Sequence, residues 1–170
     1  MIYFRRIKET DAEFILSLRL NPELNKFLCK TDSSLEKQRE WIRERPPGDY
    51  YFIIEEDGKR IGTVAIYDIN IKEKTFEWGR WVISKEAPFY IAIVSYLFIY
   101  EYAFNILNLE KALFSVNNLN TTVIEFNKVA GAAVRKKGER GTFFVCDRKG
   151  FEYAQKKYKK YYRIWKMEPL

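Results

Sequence analysis

Glu77, flanked by Phe76 and Trp78 in the run TFEWGRWVIS, is a carboxylate set among aromatic side chains, and Asp68 stands on the apolar run before it. Burial among rings disfavours the ionised form of a carboxyl and raises its pKa toward the range where it takes up a proton near neutrality. Such groups matter because the chain has no histidine, and its two cysteines, Cys29 and Cys146, lie far apart and in no C-x-x-C pair. Zinc sites and Cys-His or Ser-His catalytic pairs cannot be assembled from these residues, so no metal is expected. Both cysteines read as ordinary buried or half-buried thiols. Proton transfer must then use carboxylate, tyrosine, lysine, backbone or water. The structural alternative for Glu77 is a surface strand position paired with Lys72 or Arg80.

A second chemical feature follows at once. After TFEWGRWVIS come KEAP, FYIAIVSYLFIYEYAF, EKALFSV and NNLNTTVIEFNKVAGA, the order strand, helix, strand, helix. A helix launched from the end of a parallel strand points free backbone N–H groups and its positive dipole end at whatever lies beyond, which makes an anion site. The launch Ser84-Lys85-Glu86-Ala87-Pro88-Phe89-Tyr90 lacks glycine. Ala87 is small enough for close approach, Pro88 suits the first helical position, and the amides of Phe89, Tyr90 and Ile91 are the expected donors, with Lys85 adding charge. The alternative is that Ala-Pro merely starts a core helix.

These residues need a scaffold, and the rest of the chain supplies its parts. Ile2 to Ile7 reads as a strand, and Thr10 caps a helix with Glu13 as the capping-box acid. Phe14, Ile15 and Leu18 face inward before Asn21-Pro22 interrupts; a short helix is expected from Glu23 to Leu28, and another from Ser33 or Ser34, with Leu35, Trp41 and Ile42 as its apolar face. Runs at Tyr50 to Glu55 and Arg60 to Asn70 flank Asp57-Gly58, a hairpin signal, and a further turn at Lys72 to Lys74 leads into Thr75 to Ile83. Short strands are expected near Ala133 to Arg135 and Thr142 to Cys146. The order predicts an α/β (α+β) protein with a mixed, mostly antiparallel central sheet, helices on both faces, and a ligand crevice beyond the strand ends.

With 170 residues, 47% hydrophobic and 17% aromatic, and with no Pro/Gly/Ser-rich linker, the chain reads as one domain over 1–170. The apolar stretch from Ala87 to Phe104 approaches spanning length but carries Glu101 and four tyrosines, so it reads as a core helix and not a membrane span. MIYFRRIKETD has no small-residue cleavage site and reads as a strand, which places the protein in the cytoplasm. The net charge is +7, concentrated in RKGFEYAQKKYKKYYRIWK. Read as a helix over about 149–165, that segment puts Phe151, Ala154, Tyr158, Tyr161 and Trp165 on one stripe. Its lysines suit a solvated face, a nucleic-acid contact, or guidance of a phosphate-bearing small substrate.

Taken together, FRRIKETDAEFILSLRLNPELNKFL, DGKRIGTVAIYDI, FEWGRWVI and VNNLNTTVIEFNKVAGA resemble, in order and spacing, the GNAT superfamily of acetyl-CoA-dependent N-acetyltransferases. Within it, LRLNPELNKFL followed by SLEKQREWIRE is similar to the branch acetylating ribosomal-protein N-termini and, more closely, to enzymes acetylating nucleotide-linked amino-deoxy sugars. The resemblance implies acetyl transfer from acetyl-CoA to a neutral amine of such a sugar, with Glu77 or Asp68 as base and a strand amide near Trp81 or Val82 as oxyanion donor. It implies CoA contacts from Lys85, Ala87, Phe89, Tyr90 and Asn120, the last also a helix N-cap. Where the family often carries an acidic tyrosine, this chain has Asn127, which cannot act as an acid. Arg19, Asn21, Asn25, Lys30 and Trp41 are the implied acceptor contacts. Acetylation of protein N-termini or small amines, and an inactive nucleic-acid or protein-binding module, are the alternatives; a homodimer is left open.

Overall fold

The computed structural model describes residues 1–169. In chain order its elements are β1 (Ile2–Arg6), α1 (Ala12–Leu20), α2 (Leu35–Glu44), β2 (Tyr50–Glu56), β3 (Lys59–Asn70), β4 (Thr75–Ile83) and α3 (Tyr90–Glu101). They continue with β5 (Lys111–Asn117), α4 (Thr121–Val129), β6 (Ala133–Lys137), β7 (Gly141–Asp147), α5 (Arg148–Lys157) and β8 (Trp165–Met167). All eight strands form one sheet in the order β6-β7-β5-β4-β3-β2-β1-β8. Only β4 with β5 and β1 with β8 pair in parallel, so the sheet is mixed and mostly antiparallel.

Local chemistry sets these boundaries. Asp57 and Gly58 take positive φ values of 49° and 80°, the conformation a tight β2–β3 hairpin needs and glycine adopts without strain. Ser34 caps α2 by accepting from the Lys37 amide at 3.3 Å, Asn120 caps α4 through Val123, and Asp147 caps α5 through Gly150 at 3.0 Å. α3 is apolar on all sides and buried, and runs on into a π-helical turn at Tyr102–Ile106.

The period of two in the strands divides the core. Phe52, Ile54, Val64, Ile66, Phe76 and Trp78 face α3, whereas Tyr51, Ile53 and Ala65 join Ile15 and Ile42 of α1 and α2 on the opposite face. No helix among the described residues is long and apolar enough to cross a membrane.

Four local expectations are corrected. Glu23 to Leu28 forms hydrogen-bonded turns and no helix, because Asn21 holds the chain in a turn by accepting from the Glu23 and Leu24 amides. α1 is preceded by a short 3-10 turn, and the buried acid at its start is Asp11, held by Arg5 at 2.7 and 2.8 Å and by the Lys8 amide, in place of a Thr10 cap. The basic C-terminal helix ends at Lys157; Trp165 belongs to β8, where it pairs with Ile2 and packs on Phe4 and Phe98. Cys29 is exposed, whereas Cys146 is buried beside Tyr96 and its thiol is pushed up to about 11 by that burial.

Candidate functional site

β4 and β5 are paired only at Thr75↔Lys111 and Phe76↔Ala112. Beyond that point the two parallel strands are not bonded to each other, and a crevice opens along β4 toward α3. On the α3 face the crevice has an aromatic floor: Trp78 packs on Phe114 at 5.3 Å, and Trp81 packs on Trp78 and on Phe126 at 5.4 and 5.6 Å. Both indole N–H groups are satisfied, Trp78 donating to the Tyr100 hydroxyl at 3.0 Å and Trp81 to Ser95 at 2.9 Å.

The α1/α2 face of β4 differs in kind. The β3–β4 register shifts between Thr63 and Ala65, and Arg80 sits at the irregularity with φ of 47°. The consequence is that Glu77, Gly79 and Arg80 all present to this face, whereas Trp78 and Trp81 present to the other. Across the sheet Tyr51, Ala65 and Gly79 lie in one register row, and the small members of that row leave room above the strands. Tyr67 fills part of it: a Cβ at Gly79 would lie 2.6 Å from the Tyr67 hydroxyl, so only glycine admits the ring there.

The Tyr67 hydroxyl donates to Glu77 Oε1 at 3.4 Å. Burial, and next the nearby Asp68, raise the Glu77 carboxyl above the ordinary carboxylate range. Burial and the facing Glu77 push the Tyr67 phenol far up, so it stays protonated and remains a donor. Arg80 pairs with the buried Asp49 at 2.7 Å and lies over the rings of Tyr67, Trp41 and Tyr51 at 4.5, 5.0 and 5.6 Å. The Tyr51 hydroxyl is buried there without a hydrogen-bond partner among the described residues. The arrangement is a half-buried carboxylate with a raised pKa, a protonated phenol beside it and a guanidinium framed by aromatic rings. Such a site is equipped to accept a proton from a polar ligand.

The residues singled out from the sequence fall into groups. Glu77 and Trp41 come together through Tyr67 and Arg80, while Asp68 is exposed at positive φ at the edge of the site. Arg19 donates to Thr31 at 2.8 Å and ties down the α1–α2 connection; Asn25 is half-buried in its turn and Lys30 is exposed. Lys85 pairs with Glu23 at 2.5 Å, away from the start of α3. The Ile91 amide is taken by the Pro88 carbonyl, a correction to its expected freedom, whereas the amides of Phe89 and Tyr90 have no backbone acceptor among the described residues. Phe89 is exposed, and Tyr90 turns its side chain to Glu56 at 2.5 Å and stacks on Tyr161. Asn127 is fully buried; its Nδ2 donates to the Val123 carbonyl at 2.9 Å and its Oδ1 has no partner among the described residues. Tyr67, Gly79, Arg80 and Asp49 escaped the sequence reading as site residues. The available signal was Trp78 and Trp81, two rings three apart in a strand otherwise alternating by two.

Comparison with known proteins adds to this geometry. The model of the acetyltransferase (GNAT) domain matches residues 2–132. Among solved structures, apo FdhC, described as a nucleotide-linked sugar GNAT, is 32% identical over 94% of this chain and 94% of its own, with a TM-score of 0.85. Spermidine N-acetyltransferase from Vibrio cholerae in complex with CoA and spermine is 18% identical, over 89% of this chain and 98% of its own, with a TM-score of 0.79. A search of curated proteins gave no match.

Proposed function

This chain belongs to the GNAT family of acetyltransferases, and we propose that it acetylates the amine of a nucleotide-linked amino sugar. The observation that carries the acceptor class is the 32% identity with FdhC, a nucleotide-linked sugar GNAT, over nearly the full length of both chains. The likeness to the polyamine enzyme, at 18% identity, concerns the fold.

The residues present suit acetyl-CoA as the donor. The unbonded edges of β4 and β5 and the amides of Phe89 and Tyr90 at the start of α3 are polar backbone groups that would hold it. When bound, it supplies the thioester whose carbonyl carbon the amine attacks. Strand amides near Trp81 and Val82 are the proposed donors to the carbonyl oxygen.

Glu77 takes the proton that the amine must lose, because only the neutral amine has a lone pair. Its raised pKa brings it nearer that task, and Tyr67 fixes the carboxylate through its hydroxyl while Arg80 braces the Tyr67 ring. Asn127 carries no acidic proton, so the proton gained by Glu77 returns to the departing sulfur through Tyr67 or water. Incubation with acetyl-CoA and a panel of UDP-, dTDP- and GDP-linked amino sugars, with spermidine as the competing arm, tests the reading by mass spectrometry. An acetylated nucleotide sugar is the expected product; acetylation of spermidine alone overturns it.

A further inference from the structure

The sheet is covered unequally on the face that carries Glu77. α1 and α2 pack on Tyr51, Ile53 and Ala65 of β2 and β3, and no residue of β5, β6 or β7 joins the core beneath them. On β5 and β7, Ala112, Phe114, Phe144 and Cys146 point to the α3 side. Leu113, Ser115, Phe143 and Val145 alternate with them and form a bare face on the Glu77 side. Phe143 is 44% exposed there.

This face begins where the proton-accepting site ends. β4 and β5 pair as far as Phe76↔Ala112, so Glu77 and Leu113 come next on neighbouring strands and face the same way. Leu113 is in register with Val145, and Ser115 with Phe143. Two strand spacings of ~4.8 Å and two residue steps of ~3.3 Å place Phe143 about 12 Å from Glu77. The edge strand adds charge. The β6–β7 register shifts between Val134 and Lys136, a bulge in which Arg135 and Lys136 together oppose Phe143. All of β6 is exposed, and neither cation has an ion pair among the described residues. From Ala133 to Cys146 the chain carries four cations and one carboxylate, Glu139. An exposed ring suits a stacked base, and an unpaired guanidinium and ammonium beside it suit phosphates.

We propose that this bare face binds the nucleotide half of the acceptor, its base stacked on Phe143 and its phosphates within reach of Arg135 and Lys136, while the sugar amine lies at Glu77. The inference deepens the nucleotide-sugar reading and rests on it for the identity of the ligand. An acceptor so placed crosses β5 and β7 instead of running along β4. It leaves the start of α3 to acetyl-CoA.

Calorimetry with free UDP, dTDP and GDP tests the face without turnover, and steady-state kinetics with the acetylated sugar tests it in the reaction. At least one nucleoside diphosphate should bind and compete with the acceptor but not with acetyl-CoA. Phe143→Ala should weaken that binding and raise the acceptor KM about tenfold, the low end of what stacking one base on an aromatic ring is worth, with kcat little changed. Phe143→Tyr, which keeps a ring, should recover most of the loss. Arg135→Gln combined with Lys136→Gln should weaken binding by a similar factor and flatten its salt dependence. These side chains are exposed, so the variants should fold. Absent binding, binding that all the variants leave unchanged, or competition with acetyl-CoA overturns the proposal. Sedimentation velocity tests the rival occupant: if Phe143→Ala turns a dimer into a monomer, the face is an interface between copies and the proposal falls. If the unmodified enzyme acetylates no nucleotide sugar, the function reading fails instead, and nucleotide binding that depends on Phe143 still decides the face.

Discussion

The two faces of β4 carry opposite duties within nine residues. On the α3 side Phe76, Trp78 and Trp81 are packed by rings, and the indole N–H groups are consumed by Tyr100 and Ser95. On the α1/α2 side Glu77 and Arg80 keep charges half-buried, Arg80 holds a positive φ, and Tyr51 keeps an unpartnered hydroxyl. The first face is arranged for stability; the second retains costs that a purely structural face would shed. If that division holds, substitutions on the two faces should separate cleanly into losses of folding and losses of turnover.

The largest effect is expected at Glu77. Glu77→Gln keeps the volume and an acceptor for Tyr67 but removes the base, and general-base loss costs about 10²–10⁴-fold in kcat. Acetyl-CoA affinity should remain. Stability should move the other way: because the folded pKa of Glu77 is raised, its contribution is fully present below the ordinary carboxylate value and is lost as pH rises through the folded value. At pH 7 the amide variant should therefore melt at the same or a higher temperature than the parent. Unchanged turnover would remove Glu77 from the mechanism.

On the opposite face, Trp78→Ala should cost about 3–5 kcal/mol of stability, the usual range for a large aromatic in a packed core. It also leaves the Tyr100 hydroxyl, fully buried, without its donor. Chemical denaturation measures this, and a loss under 1 kcal/mol would show that the aromatic floor repacks without it. Gly79→Ala tests the boundary between the faces. The added methyl displaces the Tyr67 hydroxyl, and misplacement of about 1 Å near a reacting centre lowers kcat/KM by up to about a hundredfold. Kinetics equal to the parent's would mean that the Tyr67 position is irrelevant to turnover.

The sequence made one face of this strand easier to read than the other. Apolar residues alternating with polar ones announced the strand, Asp57-Gly58 announced the β2–β3 hairpin before it, and Asn120 announced the start of α4, because each is a local signal. The irregularity at Arg80 is not local. It arises from how β4 pairs with Thr63 and Ala65, residues 17 and 15 positions away, so Arg80 looked like an ordinary strand charge. Tyr67 escaped for a related reason, since its place above Gly79 depends on the register of β3. The C-terminal stripe misled in the opposite sense. Tyr158, Tyr161 and Trp165 are spaced as on a helix, but the chain leaves the helix at Tyr158, and Trp165 reaches the same core from a strand. Helical spacing identified which residues turn inward without identifying the backbone that carries them.

The smallest expected effect is the one most specific to the polar face. Tyr67→Phe keeps the ring under Arg80 and removes only the hydroxyl that donates to Glu77. That bond favours the ionised carboxylate, so its loss raises the Glu77 pKa further. Activity that depends on an unprotonated Glu77 rises with pH through that pKa, and the acidic limb of kcat/KM should accordingly move to higher pH. At 3.4 Å the bond is long, and the low end of the ~1.5–3 kcal/mol typical of a hydrogen bond to a charged group bounds the displacement at roughly one pH unit. A merely structural role for Tyr67 would lower stability and leave the limb where it was. A limb moving to lower pH would mean that the hydroxyl favours the protonated acid, and the roles assigned to the two residues would have to be exchanged.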